Sequence, residues 1–421
     1  MNRDTTIQLR HLFDIVSGST PESGNIDYWD GDIAWVTPED VSQVDGNVLR
    51  DTRRKLTAEG FANSGTTMAR TGSIVLTKRA PIGQLALLGL DACSNQGCFL
   101  LSAREGIEPR FFYYVLANRV PLLQALGRGS TFMELSTDDL KASLVPRLAY
   151  YQQVRIANYL DASVAKVDEL LQSKRGLLEI LAEKRKALIA TVVTRGLDPK
   201  VKLRDSGVPW LGEIPAHWDV TRLKFVARVQ TGIALGKNYG GEATTEFPYL
   251  RVANVQDGFL DLTEVKTMLV PEREAASAAL RRGDVLMNEG GDADKLGRGA
   301  IWDGSIDPCL HQNHVFALRP VSITSEWLST WTGIGFAKAY FETRAKQSTN
   351  LASISSTNLL ELPIAVPPDD EQHAIVAHIA RETAKLDAVR AATERTIALL
   401  KERRSALIAA AVTGQLDVGA T

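Results

Sequence analysis

The sequence has few cysteines and no long apolar run, and both absences narrow the class of protein. Cys93, Cys98 and Cys309 are too few for a disulfide framework, which predicts a reducing cytoplasm. No stretch approaches the roughly 20 apolar residues that span a bilayer. The first residues also lack the ordered regions of a signal peptide. With 44% hydrophobic and 23% charged residues, a cytoplasmic globular protein that does not bind membranes is expected.

A basic excess is absent too, since 48 Lys and Arg face 50 Asp and Glu, for a net charge of −2. This balance counts mildly against a nucleic-acid binder, but it can hide basic loops that acidic helices offset. The sequence also contains no P-loop, no dinucleotide-binding glycine pattern and no nucleophile elbow. The segment most similar to a P-loop, TGIALGKN at 231–238, has the wrong spacing between its glycines and lysine. We therefore expect no catalytic residues in this chain.

Two short patterns could suggest a metal or nuclease site. Cys309, His311 and His314 resemble a fragment of a metal site. In the repeat described next, Asn95 stands at the place of His311, and no second ligand pair lies nearby in sequence. The Glu-x-Lys pattern at 264–266 has no equivalent in the first half. A structural role is favoured for both patterns, and no metal site is predicted.

The chain contains the same segment twice. EKRKALIATVVTRGLD at 183–198 and ERRSALIAAAVTGQLD at 402–417 agree at ten of sixteen positions, at an offset of 219 residues. An ungapped register extends this match from 153–198 onto 372–417, and the preceding segments align loosely. An internal repeat of this length predicts two copies of one structural plan.

Each copy consists of a variable module followed by a long helix. The modules are short apolar runs broken by Gly, Pro, Asn and Asp, which predict strands and turns. The repeated segments contain no proline and follow a helical period, with apolar residues at alternating steps of four and three in the first copy and less strictly in the second. Such a seam faces another helix, and antiparallel pairing of the copies would bury both seams. Gly196 and Pro199 are predicted to end the first helix, and Gly414 the second. The predicted domains are 1–150, 151–215 (central helix and linker), 216–368, and 369–421 (C-terminal helix).

The predicted fold class is therefore α+β. It comprises two mixed α/β modules in an internal repeat, separated by two long helices that form an antiparallel coiled coil with pseudo-two-fold symmetry. The layout and three segments resemble the specificity subunit of type I restriction-modification systems. These segments are SGSTPESGNIDYWDGDIAWVTPEDV (17–41), LRDSGVPWLGEIPAHWDVTRL (203–223) and the EQ-x-x-IV helix start (371–376). The resemblance covers essentially the whole chain.

The resemblance implies a function without catalysis. Each module would be a target recognition domain that reads one half of a bipartite, asymmetric target in double-stranded DNA. The conserved helices would set the gap between the half-sites and dock two methyltransferase subunits. S-adenosylmethionine would belong to those partners, and ATP and magnesium to the motor and restriction subunits. This chain itself would carry no cofactor.

Candidate contacts follow from polar and basic residues in the variable modules and from the repeated helix ends. The candidate DNA-binding residues are Lys78, Arg79, Arg128, Ser130, Thr131, Lys295, Arg298, Arg344, Lys346, Ser348, Thr349 and Asn350. The candidate partner-binding residues are Arg185, Leu188, Arg404 and Leu407. Arginine can read guanine and asparagine adenine, whereas Lys, Ser and Thr mostly hold phosphates.

Two other functions are compatible with the sequence. A two-lobed protein-interaction scaffold without a role on DNA would suit the near-neutral charge. A fused nuclease or methyltransferase would make the chain an enzyme in its own right. Salt-dependent affinity for duplex DNA argues against the scaffold, because phosphate contacts release counterions. Activity of the isolated chain would favour the enzyme.

Overall fold

The structure, a computed structural model, describes most of the 421-residue chain. The described residues are 5–129, 133–291, 296–348, 351–416 and 418. They form two compact units: unit 1 comprises residues 1–176 and 393–421, and unit 2 comprises residues 177–392. Each boundary falls inside a long helix, so each unit contains one module and parts of both helices. In the described part of the chain, no helix combines the length and apolarity that a membrane crossing needs.

Unit 1 is built on two sheets. Its strands are β1 (Thr6–Gln8), β2 (Phe13–Ser17), β3 (Trp29–Val36), β4 (Val48–Leu49), β5 (Lys55–Leu56), β6 (Ile74–Thr77), β7 (Leu85–Leu88), β8 (Ala92–Ser94), β9 (Cys98–Ala103) and β10 (Leu144–Pro146). The larger sheet has the order β2-β9-β6-β7-β4 and the smaller β5-β3-β8, while β1 pairs with β10. Its short helices are α1 (Pro38–Ser42), α2 (Ala58–Ala62), α3 (Pro109–Asn118), α4 (Val120–Ala125) and α5 (Thr137–Ala142).

Unit 2 begins at Leu177, inside the first long helix, α6 (Tyr150–Arg195). Its strands are β11 (Leu203–Asp205), β12 (Glu213–Pro215), β13 (Asp219–Arg222), β14 (Ala227–Thr231), β15 (Thr245–Leu250), β16 (Lys266–Val270), β17 (Val285–Asn288), β18 (Gly290–Gly291), β19 (Gly299–Ile301), β20 (Leu310–His311), β21 (Val315–Pro320), β22 (Lys346–Ser348), β23 (Leu351–Ser353) and β24 (Pro363–Val366). Its helices are α7 (Leu223–Val226), α8 (Glu272–Ala278), α9 (Ser325–Gly333), α10 (Gly335–Arg344), α11 (Ser356–Leu360) and the start of α12 (Asp369–Val412).

The two units share one topology. The order β14-β21-β17-β19 in unit 2 repeats β2-β9-β6-β7 of unit 1, and β16-β15-β20 repeats β5-β3-β8. In both small sheets the middle strand pairs antiparallel with one neighbour and parallel with the other. The two-stranded pair β13-β24 likewise repeats β1-β10. The predicted α+β class and the internal repeat are confirmed.

In each unit one glycine lies where two backbone segments approach so closely that no side chain fits between them. A Cβ added to Gly18 would lie 2.0 Å from the carbonyl oxygen of Ser94, and one on Gly232 would lie 2.0 Å from that of His311. The residue after each glycine donates its N–H to the same carbonyl, at 2.9 Å in both units. Only glycine permits so close an approach of two backbone segments.

The long helices end where the sequence predicts. α6 has 46 residues and α12 has 44, so α6 is roughly 70 Å long at 1.5 Å per residue. Gly196 and Gly414 follow them with φ of 72° and 76°. This left-handed conformation is the usual way for a helix to stop, and glycine adopts it at little cost.

A buried glutamine anchors each long helix to its own unit. Gln153 Oε1 accepts the N–H of Glu108 at 2.9 Å, and Gln372 Oε1 accepts that of Thr324 at 3.0 Å. Each Nε2 donates to the carbonyl five residues earlier, at 2.9 Å in both cases. Glu108 and Thr324 are the N-caps of α3 and α9. The match between these glutamines thus reflects one structural role performed twice.

The helices pack antiparallel within each unit. In unit 1, Leu160 and Val164 of α6 share a core with Ile408 and Val412 of α12. In unit 2, residues near the end of α6 share a core with Ile375, near the start of α12. Apolar side chains at seam spacing therefore do face another helix, as expected.

The tryptophan-rich linker is part of unit 2. Its strands β11 and β12 form an antiparallel pair, and Trp218 is buried in the core. Trp218 Nε1 donates to Glu371 Oε2 at 2.9 Å, and His217 Nε2 lies 2.6 Å from Glu371 Oε1. These contacts tie the linker to the first turn of α12.

Candidate nucleic-acid interface

In unit 1, two of the predicted cations approach one carboxylate, and a third is paired with the same residue through the backbone. Lys78 and Arg79 follow β6, and Lys78 Nζ lies 2.7 Å from Glu134 Oε1. Arg79 Nη1 is 3.9 Å from Glu134 Oε2. Arg128 exchanges two 3.0 Å backbone hydrogen bonds with Glu134, while its guanidinium reaches Asp139 at 3.3 Å. We call Lys78, Arg79, Arg128 and Glu134 the strand-end cluster of unit 1.

The cations of this cluster differ in mobility. The Lys78 side chain is only 14% exposed, and its Nζ lies 5.4 Å from the centroid of the Phe99 ring. Arg128 is 79% exposed, so its ion pair with Asp139 is screened by water and weak. Lys78 is therefore held in place, whereas Arg128 is free to change partners. Ser130 and Thr131, also predicted, lie outside the described residues.

Unit 2 has different residues at the same backbone positions. Glu289 takes the place of Lys78: its N–H donates to His314 and its carbonyl accepts from Ile354, both at 2.9 Å. Its carboxylate lies 2.8 Å from His314 Nδ1. Lys346 and Ser353 face each other as Arg128 and Glu134 do in unit 1. We call Glu289, His314, Lys346 and Ser353 the strand-end cluster of unit 2.

Three further predicted residues of unit 2 lie within the described part of the chain. The carbonyl of Arg298 accepts the N–H of Asn288 at 2.9 Å. Arg344 ends α10, and its Cζ lies 4.0 Å from the centroid of the Tyr340 ring. Ser348 belongs to β22. Lys295, Thr349 and Asn350 lie outside the described residues.

The predictions did not include the acidic members of these clusters. Glu134 belongs to the strand-end cluster of unit 1 and Glu289 to that of unit 2. Except for Arg128, the residues that contact these two glutamates are remote from them in sequence. Glu134 stands in the part of the first copy that aligns only loosely with the second, before the ungapped register begins at 153. An alignment gives position but not pairing, so it could have suggested the segment and not the contact.

The two repeated arginines of the helix seam form ion pairs with the other helix. In unit 1, Arg404 Nε donates to Asp168 Oδ1 at 2.8 Å and Nη2 to Oδ2 at 3.2 Å. In unit 2, Arg185 Nε lies 3.8 Å from Asp387 Oδ1. Both acids are also related by the 219 offset. The seam arginines are thus partly used within the chain, and their role in partner binding stays a prediction.

The predicted leucines beside them are partly buried, and their role in partner binding also stays a prediction. Leu407 packs against the core of unit 1, and Leu188 is half-buried. More exposed apolar residues occur elsewhere on the helices, again as repeat mates. Leu170 is 50% exposed and its mate Val389 46%; Ile180 is 61% exposed and its mate Leu399 65%.

Cys309 and His311, which resemble part of a metal site in the sequence, are both buried in unit 2. Burial lowers the pKa of His311, so the ring is neutral, and Nδ1 contacts the Val315 carbonyl at 2.7 Å. Burial also raises the pKa of the Cys309 thiol to about 12. Backbone pairing corrects the repeat alignment here, because it places Ser94 and not Asn95 at the position of His311.

The Glu-x-Lys pattern is an exposed ion pair. Lys266 Nζ lies 2.7 Å from Glu264 Oε1, and this hydrogen bond lowers the pKa of the Glu264 carboxyl. A carboxylate paired in this way needs no metal to explain it. Among the described residues, no group of three or more His, Cys, Asp or Glu side chains could hold a metal ion.

Comparison with known proteins gives a consistent result. Residues 4–179 match the family model described as "Type I restriction modification DNA specificity domain". The chain is 26% identical over 256 residues to the type I restriction enzyme MjaIX specificity subunit of Methanocaldococcus jannaschii, a match covering 60% of this chain and 58% of that protein. It is 23% identical over 337 residues to the EcoBI specificity subunit of Escherichia coli, covering 76% of this chain and 68% of that protein. The match thus spans less than two thirds of the MjaIX subunit.

Solved structures share the fold over nearly the whole chain. A chain from a study of complex assembly and conformational transition of the type I R-M system superposes with a TM-score of 0.73 at 20% identity, covering 98% of both chains. The HsdS subunit from Thermoanaerobacter tengcongensis gives a TM-score of 0.55 at 20% identity, covering 98% of this chain and 97% of that one.

The repeated α+β module and the two long helices are the fold that this chain shares with these solved structures. Residues 4–179 match the family's DNA specificity domain, and the relatives described above are type I restriction enzyme specificity subunits. The predicted resemblance to that family is therefore confirmed. The relatives are specificity subunits, as the prediction of a non-catalytic chain requires.

Proposed function

We propose that each module of this chain reads one half of a bipartite, asymmetric target in double-stranded DNA, and that the long helices dock two methyltransferase subunits. The observation that carries the proposal is the contrast between the strand-end clusters. Equivalent backbone positions carry Lys78 and Glu134 in unit 1 but Glu289 and Ser353 in unit 2. One scaffold that carries unlike polar and charged residues at equivalent positions suits two unlike half-sites.

The exposed repeat mates on the helices support the second part of the proposal. Leu170 and Ile180 each come one residue before an apolar seam residue of α6, and Leu399 does so on α12. Val389, the repeat mate of Leu170, precedes Arg390, the repeat mate of a seam leucine. In an antiparallel pair, positions just before the seam project to the same side of both helices. Each unit thus presents two exposed apolar side chains on one side, which suits an identical partner bound twice.

The chain itself would supply specificity and no chemistry. S-adenosylmethionine is assigned to the methyltransferase partners, and ATP and magnesium to motor and restriction subunits. No step of a reaction is assigned to a residue of this chain. The proposed place of action is the cytoplasm, where such a complex meets DNA.

A module exchange tests the proposal. The chain is assembled with its methyltransferase, residues 1–150 are replaced by the corresponding module of a relative, and the methylated sequences are mapped genome-wide. One half-site is expected to change while the other stays the same. A change in both half-sites, or in neither, would refute modular reading.

A matched lengthening of both helices tests their role as spacer. Seven residues are inserted after Lys174 in α6 and after Thr393 in α12, the same place in each repeat, so that the seam keeps its heptad spacing. Seven residues add about 10 Å, or roughly three base pairs at 3.4 Å per pair. The gap between the half-sites should lengthen accordingly, and an unchanged gap would exclude the spacer role.

A further inference from the structure

Three consecutive basic residues precede and begin β5 in unit 1, and their side chains have different environments. Arg53 pairs with Glu39, and Lys55 forms an ion pair with the carboxylate four residues before it. Arg54 lies between them and is exposed. Within the described chain, no carboxylate lies within ion-pair distance of Arg54. Its Cζ is instead 3.4 Å from the centroid of the Trp29 ring.

The ring beneath Arg54 is fixed. Trp29 is only 6% exposed and packs edge-to-face on Trp35, with 5.1 Å between the ring centroids and 77° between the planes. Trp35 Nε1 donates to the Ser19 carbonyl at 3.0 Å. The backbone of Arg54 is held as well, since its carbonyl accepts from the Trp35 N–H at 3.3 Å and from Thr52 Oγ1 at 2.8 Å.

Stacking on a buried ring prepares a guanidinium for a planar ligand. The ring covers one face of the group and leaves the N–H donors at its edge available. An arginine already held in place loses less side-chain freedom when it binds. A planar, bidentate acceptor is the ligand that such a group fits, and the major-groove edge of guanine offers one through O6 and N7.

Unit 2 presents no stacked arginine at this place. Tyr249 and Lys266 are paired there as Trp35 and Arg54 are in unit 1. Lys266 forms an ion pair with Glu264. Unit 2 has its aromatic-supported arginine at a different point of the module.

That residue is Arg344, which lies over Tyr340. Arg344 precedes Lys346 by two residues, and the residue two before Arg128 in unit 1 is Leu126. The stacked arginines therefore occupy non-equivalent places, which suits two modules that read different sequences.

We infer that Arg54 reads a guanine in the half-site of unit 1, and that Arg344 does the same in the half-site of unit 2. The inference rests on the proposed function and adds the residues and the base. Arg54 was not among the candidates from sequence, because the tryptophan that orients it is 25 residues away and separated by α1.

The test uses the full chain assembled with its methyltransferase and a library of duplexes in which each position of the target is varied. Arg54→Lys keeps the charge but loses the bidentate edge. It should lower discrimination at one base pair of one half-site by roughly ten-fold or more. Arg344→Lys should do so at one base pair of the other half-site. The matched control Arg53→Lys, on the paired neighbour, should leave every base preference unchanged.

Two results would overturn the inference. An unchanged preference profile for Arg54→Lys would show that it reads no base. If Arg54→Ala weakened all sequences equally and reduced the salt dependence, Arg54 would be a phosphate contact. Failure of the proposed function looks different, because the unmodified complex would then prefer no bipartite sequence at all.

Discussion

The two units have the same strand pairing but different polar side chains at equivalent positions. Where β6 meets β9 in unit 1, Ser73 and Ser102 share a 3.3 Å hydrogen bond. The same place in unit 2 holds Asp284 and Arg319, joined by two hydrogen bonds of 2.8 and 2.7 Å. The strand pairing around both pairs is the same. The repeat therefore preserves hydrogen-bonded geometry, while polar side chains are exchanged as matched sets.

The largest loss of stability is expected when Asp284 is removed from the Asp284–Arg319 ion pair. Asp284 is 1% exposed, so Asp284→Ala leaves the guanidinium of Arg319 partly buried and unpaired. We expect unit 2 to lose about 3 kcal/mol of unfolding free energy. The matched change Ser73→Ala in unit 1 should cost about 1 kcal/mol.

Urea unfolding followed by tryptophan fluorescence measures both losses. The double variant Asp284→Ser with Arg319→Ser should recover part of the loss, since it installs the serine pair of unit 1. Equal losses for Asp284→Ala and Ser73→Ala would show that the two pairs are not energetically different.

The two buried glutamines make equivalent hydrogen bonds, so removing either one should destabilise its unit by a similar amount. Gln153→Ala and Gln372→Ala each leave one buried and one partly buried backbone group unsatisfied, at an expected cost of about 2 kcal/mol. Gln172→Ala, on an exposed position of α6, is the control and should cost little. Thermal unfolding would reveal unequal anchors as two clearly different shifts in Tm.

Acid should destabilise unit 2 more than unit 1. Burial lowers the pKa of His311 in the folded state, in spite of the nearby Asp284 carboxylate, which raises it. The unfolded chain therefore binds the proton first, and unit 2 loses stability as the pH falls below the unfolded value of about 6.5. The slope can reach about 1.4 kcal/mol per pH unit.

Unit 1 has Ser94 at that position and lacks this contribution. His311→Ser should flatten the acid dependence of unit 2 between pH 6.5 and 5, measured as unfolding free energy in urea. A slope that did not change would assign the acid sensitivity to other groups.

The smallest expected difference lies between the two seam ion pairs. Arg404 contacts Asp168 with two nitrogens, whereas Arg185 approaches Asp387 with one, at 3.8 Å. We expect Arg404→Ala to cost about 1 kcal/mol and Arg185→Ala less than about 0.5 kcal/mol. Double-mutant cycles with the two aspartates measure the pair energies directly, and equal energies would contradict the difference in geometry.

Sequence alone located much of the fold. The helical period and the glycines at 196 and 414 placed both long helices and their ends. Lys78 and Arg79 were identified because they follow an apolar run, and the structure does put them at a strand end. Glu134 was not identified, because its contact with Lys78 depends on the backbone hydrogen bond between Leu135 and Lys78. That bond joins segments more than 50 residues apart.

By itself the sequence determined the repeat, the α+β class and the helix seams, because each is written in residues at a fixed offset or a fixed period. Only the tertiary structure decided which charged groups meet. Glu134 pairs with two cations, Glu289 pairs with His314, and Arg54 stacks on Trp29. Most of these contacts join strand ends and turns from distant parts of the chain. Their geometry depends on how the sheets pair, which no local pattern records.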